Sequence, residues 1–166
     1  DGDRLYPRLT VRSYVRLHAE LHGLDDPGAA AERAIAEVDM APLADRRLKG
    51  LSKSERQRTK VAGAIVHQPA LLVLDEPMTG MDPGQRARFI ELIRLIGAAG
   101  VTVLVSSHIL GEVDLLANRI GIVHRGRLVE ELDSDALEER RDRRLEVEAR
   151  DLGEAELFGG ATLAVG

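Results

Sequence analysis

The sequence predicts an α/β fold with a parallel sheet and a helical part beside it. Between residues 69 and 133, short apolar runs of strand length alternate with amphipathic segments of helical period, an order typical of a parallel sheet. Residues 1–68 show only the helical spacing of apolar side chains. We therefore expect a helical subdomain at 1–68, a sheet-containing core at 69–133 and an extension of uncertain fold at 134–166.

Cap residues locate the helices of the first part. Thr10 precedes one amphipathic segment, and Asp26-Pro27 provides a cap and a first-turn proline for the next. A third helix is expected from about residue 52 to 67, where Ser52 and Glu55 match the S-x-x-E pattern of a capping box. The first part is thus predicted to contain three capped helices.

Three apolar runs predict strands, namely ALLVLD at 70–75, VTVLVS at 101–106 and RIGIVH at 119–124. The first two are continuous, which indicates strands buried on both faces. Helices are expected at 83–100, ending near Gly100, and at 109–118. The apolar face of the first of these would contain Phe89, Leu92, Ile93 and Ile96. A turn is expected at 125–126, before RLVEEL. The mixed charges at 138–144 predict a solvated helix end. A further strand is predicted for RLEVEAR at 144–150.

The composition argues against several function classes. The 166 residues have a net charge of −5 and 2% aromatic residues, so they offer neither a basic surface nor many stacking platforms for nucleic acid. No cysteine is present, which excludes disulfides and thiolate metal sites. No apolar run approaches the roughly 18 residues of a membrane span, so a role at a membrane would require a partner.

Chemically reactive side chains follow two of the predicted strands. One strand ends in Asp75 and continues into Glu76, and another leads to His108. Ligands of open parallel sheets bind beyond the carboxyl ends of the strands. An aspartate there can hold Mg²⁺ beside nucleotide phosphates, and a neighbouring carboxylate can orient or deprotonate water. Taken alone, these residues are also compatible with a turn that closes a core strand and with a structural histidine.

Four motifs in a fixed order make the nucleotide interpretation more specific. LSKSERQR at 51–58, LLVLDEP at 71–77, TGMDP at 79–83 and SSHIL at 106–110 resemble parts of the ATP-binding subunit of ABC transporters. In that family they correspond to the signature motif, the Walker B segment, the D-loop and the switch histidine. The resemblance covers about residues 5 to 132 and is closest to bacterial exporters of drugs and antibiotics. It implies a P-loop NTPase fold of the ABC ATPase type, here a partial core with a helical subdomain.

The resemblance also implies a role for each matching residue at the strand ends. Asp75 would hold Mg²⁺, and Glu76 would be the general base for water. His108 would contact the γ-phosphate of ATP and sense its loss. Asp82 would lie at the interface between two ATPase subunits and link their ATP sites.

In the signature motif, Ser52 and the backbone amides after it would contact the γ-phosphate of ATP bound to the other subunit. This ATP-contacting segment includes Lys53, Ser54 and Glu55. The role agrees with the unpaired N–H groups and partial positive charge of a helix N-terminus. ATP and Mg²⁺ would be the cofactors, and the partners would be membrane permease subunits and a second ATPase subunit, in a homodimer or a heterodimer. The resemblance places the protein at the cytoplasmic face of the cell membrane and implies no nucleic-acid partner.

Two departures from the family pattern limit what this chain is expected to do alone. No G-x-x-x-x-G-K-[ST] loop occurs, so we expect a fragment that binds ATP weakly and does not hydrolyse it appreciably. In the signature, Ser54 stands where relatives generally have glycine, and Glu55 adds a negative charge near the expected anion. We expect Glu55 to alternate between capping the helix and giving way to ATP. Two alternatives stay open: a non-catalytic half-site that binds a partner, and a soluble ABC ATPase without a transport function.

Overall fold

The computed structural model describes residues 6–133 and 161–165, which divide into two compact units. The first unit contains the chain up to residue 72 together with residues 80–92. The second contains residues 73–79 and the chain from residue 93 onward. The strand predicted at 144–150 and the charged run at 138–144 lie outside the described residues. Within the described ranges, no helix is long and apolar enough to cross a membrane.

Residues 6–65 contain three α-helices and two short 3₁₀ turns. The helices are α1 (Val11–Leu21), α2 (Pro27–Glu37) and α3 (Lys53–Ile65), and the 3₁₀ turns are Ala41–Leu43 and Leu48–Gly50. All three helices lie where the sequence predicts them.

The predicted caps of α1 and α2 are confirmed. The Thr10 hydroxyl accepts a hydrogen bond from the Ser13 N–H at 3.1 Å, and the Asp26 carboxylate accepts one from the Ala29 N–H at 2.9 Å. Pro27 occupies the first turn of α2, where its missing N–H costs no helical hydrogen bond. These caps satisfy backbone donors that a helix leaves unpaired at its start.

Small and branched apolar side chains form the core of the first unit. The buried positions on the three helices include Val11, Val15, Ala19, Ala34, Ile35, Val61, Ala62 and Ile65. Gly63 on α3 faces α1, because a Cβ at this position would lie 3.0 Å from a ring carbon of Tyr14. The absence of a side chain at this glycine therefore sets how closely the two helices pack.

A five-stranded sheet follows in the sequence, with two helices between its first three strands. The elements are β1 (Leu71–Leu74), α4 (Pro83–Ala98), β2 (Thr102–Ser107), α5 (Leu110–Leu116), β3 (Arg119–His124), β4 (Arg127–Asp133) and β5 (Ala161–Val165). The order across the sheet is β1-β2-β5-β3-β4. Because β2 and β3 are each antiparallel to β5, they run in the same direction, as the sequence predicts.

The strand β5 was not predicted, and it occupies the place between β2 and β3. It pairs with β2 from Val103↔Val165 to Ser107↔Ala161, and with β3 from Arg119↔Ala164 to Ile122↔Ala161. The sheet is therefore mixed, since both β5 and the hairpin strand β4 run antiparallel to their neighbours.

The helix α4 matches its predicted pattern. Its apolar face is buried, with Phe89 and Ile93 fully inaccessible and Leu92 and Ile96 nearly so. Gly100 follows the helix with a φ of +94°, a conformation that glycine adopts without steric cost.

The prediction that the first strand is buried on both faces is wrong. Leu72 and Leu74 of β1 are buried, whereas Leu71 and Val73 are 53% and 62% exposed. Successive side chains of a strand point to opposite faces, so only one face of β1 is covered by described residues. A continuous apolar run does not by itself show how many faces are covered.

Candidate functional site

Two carboxylates meet a serine at the carboxyl end of β1. Asp75 and Glu76 follow β1 directly, and Ser106 lies near the end of the adjacent strand β2. The Ser106 hydroxyl donates a hydrogen bond to Asp75 Oδ1 at 2.6 Å and accepts one from the backbone N–H of Glu76 at 2.7 Å. One hydroxyl group therefore contacts both the predicted metal ligand, Asp75, and the predicted general base, Glu76.

The Glu76 side chain is held at both of its oxygens. Its Oε1 lies 2.8 Å from Nδ1 of His108, and its Oε2 accepts a hydrogen bond from the Thr79 hydroxyl at 3.0 Å. The backbone of Glu76 has a φ of +43°, in the left-handed region that non-glycine residues rarely adopt. Such strain is common at functional sites and persists where surrounding contacts enforce it. The structure thus brings together three predicted residues, Asp75, Glu76 and His108.

A buried pair supports the loop that carries His108. The Ser107 hydroxyl donates to the Glu112 carboxylate at 2.5 Å and accepts a hydrogen bond from the Ile109 N–H at 3.1 Å. Ser107 and Glu112 are both buried. This arrangement fixes the start of α5 relative to the end of β2.

In the first unit, the capping box at the start of α3 is confirmed. The Glu55 N–H donates to the Ser52 hydroxyl at 3.3 Å, and the Ser52 N–H donates to the Glu55 carboxylate at 2.7 Å. In the described conformation, Glu55 therefore occupies one of the donors that the signature would offer to a phosphate.

The remaining signature residues differ in their surroundings. Ser54 is buried, and Lys53 is exposed with its ammonium group over Gly80 of the TGMDP motif. A Cβ at residue 80 would lie 2.5 Å from this ammonium nitrogen, and Gly80 has a φ of +73°. Asp82 caps α4, because its carboxylate accepts a hydrogen bond from the Gln85 N–H at 2.9 Å. A signature residue and a D-loop residue are therefore in contact within this unit.

A cavity of about 260 Å³ lies beside the start of α3. Its lining includes Ser52, Ser54, Glu55, Arg58 and Arg88. Arg58 makes long contacts of 3.4 Å with the Asp39 carboxylate and with a backbone carbonyl. The guanidinium groups of the lining provide positive charge beside Glu55.

The donor set at Asp75 fits a magnesium ion that is held mainly by nucleotide phosphates. Among the described residues, no group of three or more His, Cys, Asp or Glu side chains is placed to hold a metal ion. Mg²⁺ in nucleotide sites usually needs one or two carboxylates and otherwise binds phosphates and water. Asp75 is exposed, and its Oδ2 accepts no hydrogen bond from the described residues. This oxygen is thus available to a hydrated ion.

Sequence reasoning missed Ser106 and Thr79 as parts of the cluster. Both lie inside the quoted motifs, at the first position of SSHIL and of TGMDP. A signal was available in the sequence. A serine or threonine at the end of one strand can donate a hydrogen bond to a carboxylate that follows the neighbouring strand. The pairing of β1 with β2 was needed to recognise it.

The sequence of this chain is similar to those of ABC transporter proteins. The family model described as ABC transporter matches residues 1–79. The bacitracin transport ATP-binding protein BcrA of Bacillus licheniformis is 34% identical over 152 residues, covering 90% of this chain and 49% of the relative. The daunorubicin/doxorubicin resistance ATP-binding protein DrrA of Streptomyces peucetius is 41% identical over 105 residues, covering 61% of this chain and 32% of the relative.

The solved structures support the fold. The structure of cbiO1 from Clostridium perfringens, part of the ABC transporter complex cbiONQ, superimposes with a TM-score of 0.72 at 22% identity. This match covers 86% of this chain and 60% of that one. The chain spans about half or less of the length of the curated relatives named above. Motif order, sheet architecture and relatives agree, and the chain belongs to the ATP-binding subunits of the ABC transporter family.

Proposed function

We propose that this chain is part of the ATP-hydrolysing subunit of an exporter, in which ATP turnover drives transport through a membrane permease. The observation that carries the proposal is the cluster of Asp75, Glu76 and His108 at the carboxyl ends of β1 and β2. Two carboxylates with different surroundings and an imidazole are the groups that water-mediated phosphoryl transfer requires.

Each member of the cluster has a separate proposed role. Asp75 would bind the hydrated Mg²⁺ through its available oxygen, and the ion would neutralise charge on the phosphates. Glu76 would accept a proton from the attacking water, after one of its carboxylate oxygens has left its present hydrogen-bond partner. His108, which contacts Glu76, would report the state of the γ-phosphate to this base.

The signature segment is proposed to contact ATP held by a second ATPase subunit. Ser52, Lys53 and Ser54 would offer a hydroxyl, an ammonium and backbone N–H groups to the γ-phosphate. Glu55 would leave the Ser52 N–H when ATP arrives, and Asp82 would lie at the subunit interface. The proposed assembly is a head-to-tail homodimer or heterodimer at the cytoplasmic face of the membrane.

The names of the relatives suggest the class of exported compound. BcrA and DrrA are named for bacitracin and for daunorubicin or doxorubicin, respectively. We propose an antibiotic-like substrate for the whole protein. The proposed division of the chain remains a helical subdomain at 1–68, an ATPase-core part at 69–133 and an extension at 134–166.

The test uses a longer protein that joins this chain to the family's phosphate-binding loop. Phosphate release from Mg-ATP is measured for the unchanged protein, for Glu76→Gln and for Glu91→Gln, which alters an exposed glutamate of α4. We expect Glu76→Gln to lower kcat by roughly 10²- to 10⁴-fold, the usual contribution of a general base. Glu91→Gln should retain the full rate. Equal rates for the two variants would refute the role of Glu76.

A non-catalytic half-site is the second candidate, favoured by the capping box that occupies the Ser52 N–H. Phosphate release distinguishes the two candidates, and Glu55→Ala in the same longer protein tests the competition because it removes the acceptor of the Ser52 N–H. Stronger ATP-driven dimerisation in sedimentation experiments supports competition between the cap and ATP. Unchanged or weaker dimerisation contradicts it. An unchanged protein that binds its partner but releases no phosphate would favour the non-catalytic half-site.

A further inference from the structure

The hydroxyl of Ser106 is shared between the two carboxylate residues of the cluster. We propose that Ser106 is a positioning residue for ATP hydrolysis, which orients Asp75 toward the metal ion and fixes the backbone that presents Glu76. This inference rests on the proposed function. It concerns a residue that has no role in the motif assignment above.

The hydrogen-bonding capacity of a serine matches this double role. A hydroxyl has one hydrogen to donate and two lone pairs that accept. Ser106 uses the hydrogen for Asp75 Oδ1, at the short distance of 2.6 Å that is typical of a bond to a carboxylate. It uses a lone pair for the N–H of Glu76 at 2.7 Å. Engaging one oxygen of Asp75 fixes the rotation of the carboxylate and leaves Oδ2 for a ligand.

The bond to Glu76 has a second consequence, because this residue has a strained backbone. Its φ of +43° places it in a sparsely populated region that needs enforcement by neighbouring contacts. The following residue is Pro77, which has no N–H to contribute to this enforcement. The bond from the Glu76 N–H to Ser106 Oγ is therefore a restraint on the turn. Its removal allows the backbone to relax and the carboxylate to move away from His108 and Thr79.

The position of Ser106 is fixed by the strand around it. The neighbouring side chains on the opposite face, Val105 and Ser107, are buried, so β2 cannot rotate or slip without exposing them. In addition, β2 pairs with β5, and Ser106 lies opposite Thr162 of that strand. Ser106 thus presents its hydroxyl from a fixed backbone, as a positioning group requires.

The experiment compares three variants in the longer protein that carries a phosphate-binding loop. Ser106→Ala removes both hydrogen bonds, and Ser106→Thr keeps a hydroxyl at the same place. Thr102→Ala is the control, because it removes an exposed hydroxyl from the other end of the same strand. The readouts are kcat, KM for ATP, the Mg²⁺ concentration for half-maximal rate, and the amide ¹H–¹⁵N resonance of Glu76.

We expect Ser106→Ala to lower kcat and raise the Mg²⁺ requirement by roughly ten- to hundred-fold, the usual effect of losing a residue that orients a metal ligand. KM for ATP should change less than kcat, because the serine contacts no nucleotide in this proposal. The Glu76 amide resonance should move. Ser106→Thr should restore most of the rate and the resonance, and Thr102→Ala should match the unchanged protein.

Three results would overturn the proposal: a Ser106→Ala rate within about twofold of the control, a failure of threonine to rescue, or an unmoved Glu76 resonance. Failure of the proposed function gives a different pattern. In that case the unchanged protein releases no phosphate, while the Glu76 resonance still reports whether Ser106 holds the turn. A Glu76 amide resonance that moves in Ser106→Ala and returns in Ser106→Thr then supports the positioning geometry. A Glu76 resonance that does not move in Ser106→Ala refutes it.

Discussion

Replacing Ser107 with alanine is expected to destabilise the second unit strongly. The Ser107 hydroxyl donates to the buried carboxylate of Glu112 at 2.5 Å and accepts from the Ile109 N–H at 3.1 Å. A hydrogen bond to a carboxylate contributes about 1.5–3 kcal/mol, and the loss of an acceptor for a partly buried N–H costs about 1 kcal/mol more. Ser107→Ala should therefore lower the free energy of unfolding by about 2.5–4 kcal/mol.

Urea unfolding followed by circular dichroism measures this change, and hydrogen exchange of the β2 amides assigns it to the second unit. The control is a double-mutant cycle with Glu112→Ala, which removes the acceptor of the Ser107 hydroxyl. Residues in direct contact typically show coupling of about 0.5–3 kcal/mol. A loss below about 0.5 kcal/mol for Ser107→Ala, or a coupling near zero, would show that the pair does not stabilise the fold as argued.

Three further predictions concern the first unit and are measured by urea titration of the chain. Ser52→Ala should cost about 1 kcal/mol, since it removes the N-cap of α3, and an unchanged midpoint would contradict the capping geometry. Burial lowers the pKa of His18 and His67 below 6.5, and neighbouring imidazoles reinforce the shift. The unfolded chain therefore binds more protons than the folded chain at acidic pH. The free energy of unfolding should fall as the pH drops below about 6.5. His67→Gln should flatten this dependence, and an equally steep fall would refute the assignment. Gly80→Ala should lower the free energy of unfolding by about 1–2 kcal/mol, because alanine is strained at the positive φ of this residue. Gly23→Ala is the control, since Gly23 has a similar φ but no atoms close to the added Cβ. Its effect measures the backbone strain alone.

Local sequence signals predicted the helices well. The caps at Thr10, Asp26 and Ser52 and the glycine stop at Gly100 depend on side chains close in sequence to the helix end that they mark. The strand ends were also predictable, because apolar runs stop where Asp75 and His108 follow. These features need no knowledge of the rest of the fold.

Features that depend on distant pairing could not be predicted in this way. The exposure of Val73 depends on what covers each face of the sheet, and the place of β5 depends on pairing with strands more than 30 residues away. The role of Ser106 depends on the neighbouring strand in the same manner. Family membership explains the order of the motifs, and the variants of Glu76 and Ser106 described above test the proposed roles of the site residues.

The place of β5 has a consequence for how the chain is synthesised. β5 joins β2 to β3, yet 36 residues separate the end of β3 from the start of β5. At roughly 5–20 residues per second, the ribosome needs about 2–7 seconds to add them. During that interval the facing edges of β2 and β3 lack the strand that pairs with both. Unpaired strand edges recruit other chains, so the nascent chain passes through a window in which aggregation competes with folding.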